Sequence, residues 1–337
     1  MTLPAHNRWL SRFAKLVAGA TFTLIFIGGL VTSTGSGLAV PDWPTTYGHF
    51  MFSFPFSKMV GGILYEHGHR MVASVVGLLM TILAIWLWLK EPRRWVKWFG
   101  FGALLAVIAQ GVLGGITVLF LLPTPVSVLH ACLAQAFFCM TICLAMFTSK
   151  EWHIPLVPPL KRGDEELVSP LIRGDDRGVK NLTLLTTALV YIQLILGAIM
   201  RHSGSGLAIP DFPLAFGKII PPIETQQVAI HFLHRVGALL VTISVIWMAM
   251  QIFRRASTQP KLTRPAGILV VALVLQIVLA GLTIWTKKAV IPTTAHLVTG
   301  AFILGTSLVL TLRAHRLLTT EEKAIAAIPL LAQPTAN

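Results

Sequence analysis

Eight runs of about twenty apolar residues dominate this sequence, and they fix what it can fold into. They lie near residues 16–34, 70–89, 98–120, 127–147, 182–200, 232–252, 266–285 and 295–312. Each is long enough to cross a ~30 Å hydrocarbon core as a helix. A membrane β-barrel would show alternating rather than continuous apolar residues. The expected fold is therefore an all-α polytopic membrane protein of eight transmembrane helices. Composition agrees: 55% of residues are hydrophobic and 12% charged, whereas a soluble domain carries roughly 25% charge. Disorder is excluded by the same apolar richness. The first run is not read as a cleavable signal peptide, because no small-residue cleavage site follows it.

The net charge of +14 would suggest nucleic acid were it not for its placement. Twenty of the 27 basic residues fall in segments that alternate helices place on one side: before the first run, after the second, within 150–180, within 254–264 and after the last. Such a bias marks the cytoplasmic side, so both termini are expected in the cytoplasm and the chain in the cell (inner) membrane. The basic character reports topology and contact with the lipid bilayer, with no nucleic-acid partner. Cys132, Cys139 and Cys143 all sit inside the fourth run, so no disulfide is expected and small buried hydrophobes are the favoured reading.

The chain also repeats itself. Residues 35–44 read GSGLAVPDWP and residues 204–213 read GSGLAIPDFP, 169 positions apart. His69-Arg70 matches His234-Arg235 at 165, QGVLGGITV (110–118) matches QIVLAGLTI (276–284) at 166, and His130 matches His296 at 166. Constant offsets mean two homologous halves. Four helices per half give both the same orientation, so two four-helix bundles related by a pseudo-two-fold axis along the membrane normal are expected. The division is 1–148, a polar cytoplasmic linker at 149–180, 181–318, and a cytoplasmic tail at 319–337.

His69, His130, His234 and His296 each fall in the opening turn of an even-numbered run, hence at one depth below the outer surface. Ionisable groups inside a membrane are functional candidates, and two imidazoles facing each other across a four-helix bundle suit axial ligation of haem iron. Zinc is less suited, since it usually takes three or four close protein ligands. The long outer loops, with their Gly-Ser-Gly-Leu-Ala and Pro-Asp-aromatic-Pro motifs, are expected to fold down as lids. Asp42 and Asp211 are read as turn caps first and as haem-edge contacts second. Arg70 and Arg235 are candidates for gripping haem propionates, with snorkelling to headgroups an equal alternative. Glu66 stands one turn outward of His69, where the second half has His231. With Arg70 about 100° round the helix, a salt bridge between them is not favoured, and Glu66 is expected as a proton acceptor or positioner of water.

The run Glu66-His67-Gly68-His69-Arg70, the paired loop motifs and one histidine per even helix together resemble haem A synthase, over about 16–312. The resemblance implies oxidation of a methyl group of haem O to the formyl group of haem A, with oxygen from water. It implies that His69 and His130 handle haem O and that His234 and His296 hold a haem b cofactor. It further implies haem O synthase (the farnesyltransferase) and cytochrome oxidase assembly as partners. The outer loops lack the cysteine pair of some bacterial members. Thr32 stands where the second half has Arg201. The competing readings are a diheme b-type cytochrome that only transfers electrons, and a repeat-built transporter, disfavoured because no run is broken at mid-membrane.

Overall fold

The computed structural model describes residues 6–153 and 176–331, as backbone alone beyond Leu318. Eight long helices account for most of it: α1 (Arg8–Ser33), α2 (Gly62–Lys90), α3 (Arg94–Leu119), α4 (Thr124–Phe147), α5 (Asp176–His202), α6 (Gln226–Arg255), α7 (Pro260–Trp285) and α8 (Val290–Leu331). All eight contain a stretch long and apolar enough to span a membrane, and no strand occurs among the described residues. Their outward faces carry residues such as Leu78, Leu239 and Val271, which are more than half exposed, as a lipid-facing surface requires. The expected linker falls mostly outside the described residues; its described ends are a one-turn helix, Lys150–His153, and the start of α5. The expected tail from 319 instead continues as helix to Leu331, and 332–337 lie outside the described residues.

Local chemistry sets the helix limits. Asn7 Oδ1 accepts from the N–H groups of Trp9 and Leu10, both at 3.1 Å, capping α1. At its far end Gly35 takes φ +68°, Gly35 N–H bonds to Thr32 O and Ser36 N–H to Val31 O. This is a Schellman cap, where glycine relieves the left-handed strain. Thr225 Oγ1 caps α6, and Pro92 follows the end of α2.

Within the first four helices, α1 packs on α2, α2 on α3, α3 on α4 and α4 back on α1; the same ring of neighbours recurs in α5–α8. The halves meet through α1–α8, α4–α5 and α4–α8. Arg201 Nη2 donates to Ser33 Oγ at 2.8 Å and Thr124 Oγ1 to His202 O at 3.1 Å across that seam. At the end where the chain begins, Glu151 is paired with Lys261 and Arg313.

Besides a small cluster of Ile209, Ala215 and Val228 at the second loop, the two large cores are lopsided along the helix axes. One joins Leu10, Val17, Met80, Leu83, Leu87, Val96, Phe137 and Leu144; the other joins Val245, Met248, Ile252, Leu262, Leu269, Leu304 and Leu310. Both lie toward the end of the bundle away from the long loops. Each half is thus closely packed at one end, with the histidines beyond the packed region.

Candidate functional site

The helices begin earlier than their apolar runs suggest, because polar turns extend them beyond the hydrocarbon. His69 therefore lies seven residues past the start of α2, His130 six past that of α4, His234 eight past that of α6 and His296 six past that of α8. They occupy the second turn or just beyond, not the opening turn. At 1.5 Å per residue this is roughly 10 Å down each helix, so the common depth is kept.

His69 on α2 and His130 on α4 stand on opposite helices of their ring of four, as do His234 on α6 and His296 on α8. Glycines bring neighbouring backbone against three of the rings. A Cβ on Gly28 would stand 3.2 Å from His69 Cε1, one on Gly114 3.1 Å from His130 Cε1, and one on Gly197 3.1 Å from His234 Cε1. Sequence reasoning overlooked three glutamines. Gln110 Nε2 lies 3.0 Å from His130 O and 3.3 Å from its Nε2; Gln193 Nε2 lies 2.8 Å from His234 O and 3.1 Å from its Nδ1; Gln276 Nε2 lies 3.4 Å from His296 Nε2. The signal was present: Gln110 and Gln276 open the two matched blocks, each twenty residues before a histidine.

These residues fit a haem held by two axial imidazoles. Nδ1 of His69, His130 and His296 is buried without a hydrogen-bond partner. The rings keep partial exposure although they sit deep along the helices, as side chains lining an internal space do. Among the described residues no three His, Cys, Asp or Glu side chains converge, so the donor sets are pairs and not a zinc-type cluster.

The loops fold onto α2 and α6 by a duplicated set of bonds. Arg70 Nη1 donates to Asp42 O (2.7 Å) and Thr45 O (3.1 Å), and Nη2 to Val40 O (2.8 Å). Arg235 makes the counterpart bonds to Asp211 O (2.6 Å), Leu214 O (2.7 Å) and Ile209 O (3.3 Å). The amino groups expected at propionates are thus engaged with loop carbonyls. The aromatic of each Pro-Asp-aromatic-Pro motif fills a glycine notch: Trp43 lies so close on Gly115 that a Cβ there would overlap its indole, and a Cβ on Gly281 would stand 3.1 Å from the Phe212 ring. Trp43-Pro44 and Phe212-Pro213 are both cis, and Tyr47 and Phe216 both have positive φ.

Asp42 and Asp211 serve these loops as turn caps. Asp42 accepts from the Thr45 hydroxyl, Tyr47 N–H and Gly48 N–H; Asp211 accepts from Phe216 N–H and Gly217 N–H. Partial burial works against the charge of Asp42, but these donors prevail and hold its carboxyl down to about 2. Asp211 is lowered too, first by the Gly217 N–H and then by that of Phe216.

One difference between the halves is a buried position beside the first histidine of each. Glu66 Oε2 accepts from Val40 N–H at 2.7 Å, while His231 Nδ1 accepts from the equivalent Ile209 N–H at 3.2 Å. Each side chain is 3% exposed. Glu66 Oε1 also takes Arg70 Nη2 at 2.6 Å. That ion pair corrects the expectation that Glu66 lacks a cationic partner: four residues along a helix return to the same face, and Arg70, not free to reach solvent under the loop, turns back to it. His67, with Nδ1 3.0 Å from Thr46 Oγ1 and its ring on Phe54, helps seat the first loop; Phe232 occupies its counterpart.

A family model described as COX15-CtaA, cytochrome oxidase assembly protein, matches residues 11–309. Among curated proteins, one named heme A synthase from Halalkalibacterium halodurans is 31% identical over 247 residues, covering 72% of this chain and 76% of that protein. Another of that name from Alkalihalophilus pseudofirmus is 28% identical, covering 74% and 78%. One from Bacillus cereus is 25% identical over 294 residues, covering 85% and 88%. With a model match that takes in Glu66 and all four histidines, the chain belongs to the COX15-CtaA family of cytochrome oxidase assembly proteins.

Proposed function

We propose that this protein is a haem A synthase in the cell membrane, with both termini cytoplasmic, converting haem O to haem A for cytochrome oxidase. His69 and His130 take the substrate haem O, and His234 and His296 hold a haem b cofactor. Haem O synthase would supply the substrate and the assembling oxidase would receive the product. The observation that carries this reading is the exchange of Glu66 for His231 where both accept the equivalent loop N–H, from Val40 and Ile209. Two electron-transfer haems would have no use for that difference, whereas a reacting haem beside a resident one would.

When bound, the haems supply the redox chemistry. The net change, methyl plus one water to formyl, releases four electrons and four protons, so a proton-handling group is needed beside the porphyrin edge. Glu66 sits one turn from His69 on the same face, so it would lie beside a haem that His69 helped to hold. Arg70 stabilises its ionised form, and each carboxylate oxygen retains a second lone pair with which to orient a water. The loop covers this carboxylate and excludes bulk water. Arg70 and Arg235 hold the two loops while placing positive charge at the propionate end of each pocket.

The test is to extract and weigh the haems of purified wild type and Glu66→Gln. Wild type should yield haem b with haem O and haem A. Glu66→Gln should keep its haem b, accumulate haem O or a half-oxidised form, and turn over roughly 10²-fold more slowly or worse. Haem b alone in active membranes would return the electron-transfer reading. A reporter fused at Gly163 should be active only on the cytoplasmic side.

A further inference from the structure

The two pockets differ at a second, coupled pair of positions. Gly28 and Gly197 are equivalent, each lying against the ring of the first histidine of its half. One turn earlier stand Leu24 and Gln193. The Gln193 amide bridges the ring and backbone carbonyl of His234, and its oxygen is left without a partner, so a half-turn of the amide serves a protonated ring nitrogen equally well. Leu24 has no polar atom to offer a ring, and His69 Nδ1 has no partner. The facing helix has adapted to each. A Cβ on Gly237 would collide with the Gln193 amide oxygen, whereas the equivalent position is Val72, which like Leu24 packs against the first-half core. The other histidine of each pocket has its glutamine, Gln110 or Gln276. Those two glutamines stand at Nε2 and leave Nδ1 of His130 and His296 without a partner; of the four rings only His234 has its Nδ1 held, and His69 is the one with no glutamine beside it.

We infer that the pair Gln193–Gly237 makes His234 a fixed ligand, while Leu24–Val72 leaves His69 a ligand that can let go, so that the first pocket exchanges its haem and the second retains it. Hydrogen bonds to the far nitrogen of a ligating imidazole orient the ring, and their loss commonly costs 10–100-fold in metal affinity. A pocket whose haem is substrate and product must release it each turnover; a cofactor pocket must not. The inference rests on the assignment of pockets proposed above and names the positioning residues that enforce it.

The experiment uses the full chain in nanodiscs loaded with ferric haem b and chased with excess apomyoglobin. The second pocket is read in a His130→Ala background and the first in a His296→Ala background. The first pocket should lose haem at least tenfold faster than the second. Gln193→Met, similar in volume but unable to tether the ring, should speed loss from the second pocket about tenfold and shift the g values of its low-spin signal. Leu24→Gln with Val72→Gly should slow loss from the first pocket by a similar factor. Equal release from the two pockets, or less than a twofold effect of Gln193→Met with unshifted g values, would overturn the inference while leaving haem A production intact. Failure of both backgrounds to bind haem would overturn this inference and the proposed function together, and lack of haem A production with differential release intact would overturn only the function.

Discussion

Removing the guanidinium at position 70 separates the structural and chemical roles of the first loop. Arg70→Met deletes three bonds to loop carbonyls and one to Glu66. At about 1 kcal/mol net per bond, the three loop contacts amount to about 3 kcal/mol, or a roughly 10²-fold rise in loop opening. The orphaned carboxylate, buried and stripped of its partner, adds a further cost on the order of 3 kcal/mol. Arg235→Met deletes the three equivalent carbonyl bonds but strands no carboxylate, since His231 occupies that place. Amide hydrogen exchange at Val40, Tyr47 and Gly48 on one side, and Ile209, Phe216 and Gly217 on the other, reads both loops in one sample. Arg70→Met should deprotect its loop by more than Arg235→Met deprotects the second. Adding Glu66→Gln to Arg70→Met should return part of the loss, because a neutral amide tolerates the missing cation. Equal deprotection of the two loops, together with no recovery in the double variant, would refute the reasoning that Glu66 and Arg70 form one buried unit.

Three further outcomes follow from the same geometry. Gly115→Ala should displace Trp43 and cost about 1–3 kcal/mol through overpacking, seen as a lower unfolding midpoint and faster exchange over 40–49; Gly281→Ala, whose neighbour stands at 3.1 Å, should cost less. The Asp42 carboxyl, depressed in the folded loop to about 2, contributes order that is full above its unfolded value near 4 and is lost as pH falls toward 2. Exchange at Gly48 should accelerate over that interval, and Asp42→Asn should abolish the pH dependence. Gly197→Ala should push on the His234 ring and broaden the low-spin haem signal of the second pocket without emptying it.

The spans, the duplication and the four histidines were legible because each leaves a signal in one dimension: apolar length, fixed offsets, and a titratable residue where none is cheap. The paired loop motifs were legible as lids, but not the reason for their aromatic residue, which is a glycine notch on α3 or α7 more than sixty residues away. Glu66 stood out by its asymmetry with His231, but its ion pair with Arg70 was misjudged. The angle of about 100° separates Arg70 from its neighbour His69; Glu66, four residues back, shares its face, and the loop above turns the arginine toward it. The glutamines were hidden for a different reason. A neutral polar residue in an apolar run looks incidental until the ring it touches is seen.

The lopsided packing of each half has a mechanical consequence. Helices clamped along the end where the chain begins, and joined there by Glu151 to Lys261 and Arg313, behave like a clothes-peg whose spring lies at one end and whose jaws lie under the loops. Sliding or tilting whole helices would disrupt the dense cluster from Met80 to Leu87 and from Val245 to Ile252, whereas the loop end is held by the smaller cluster of Ile209, Ala215 and Val228 and by the bonds that pin each loop.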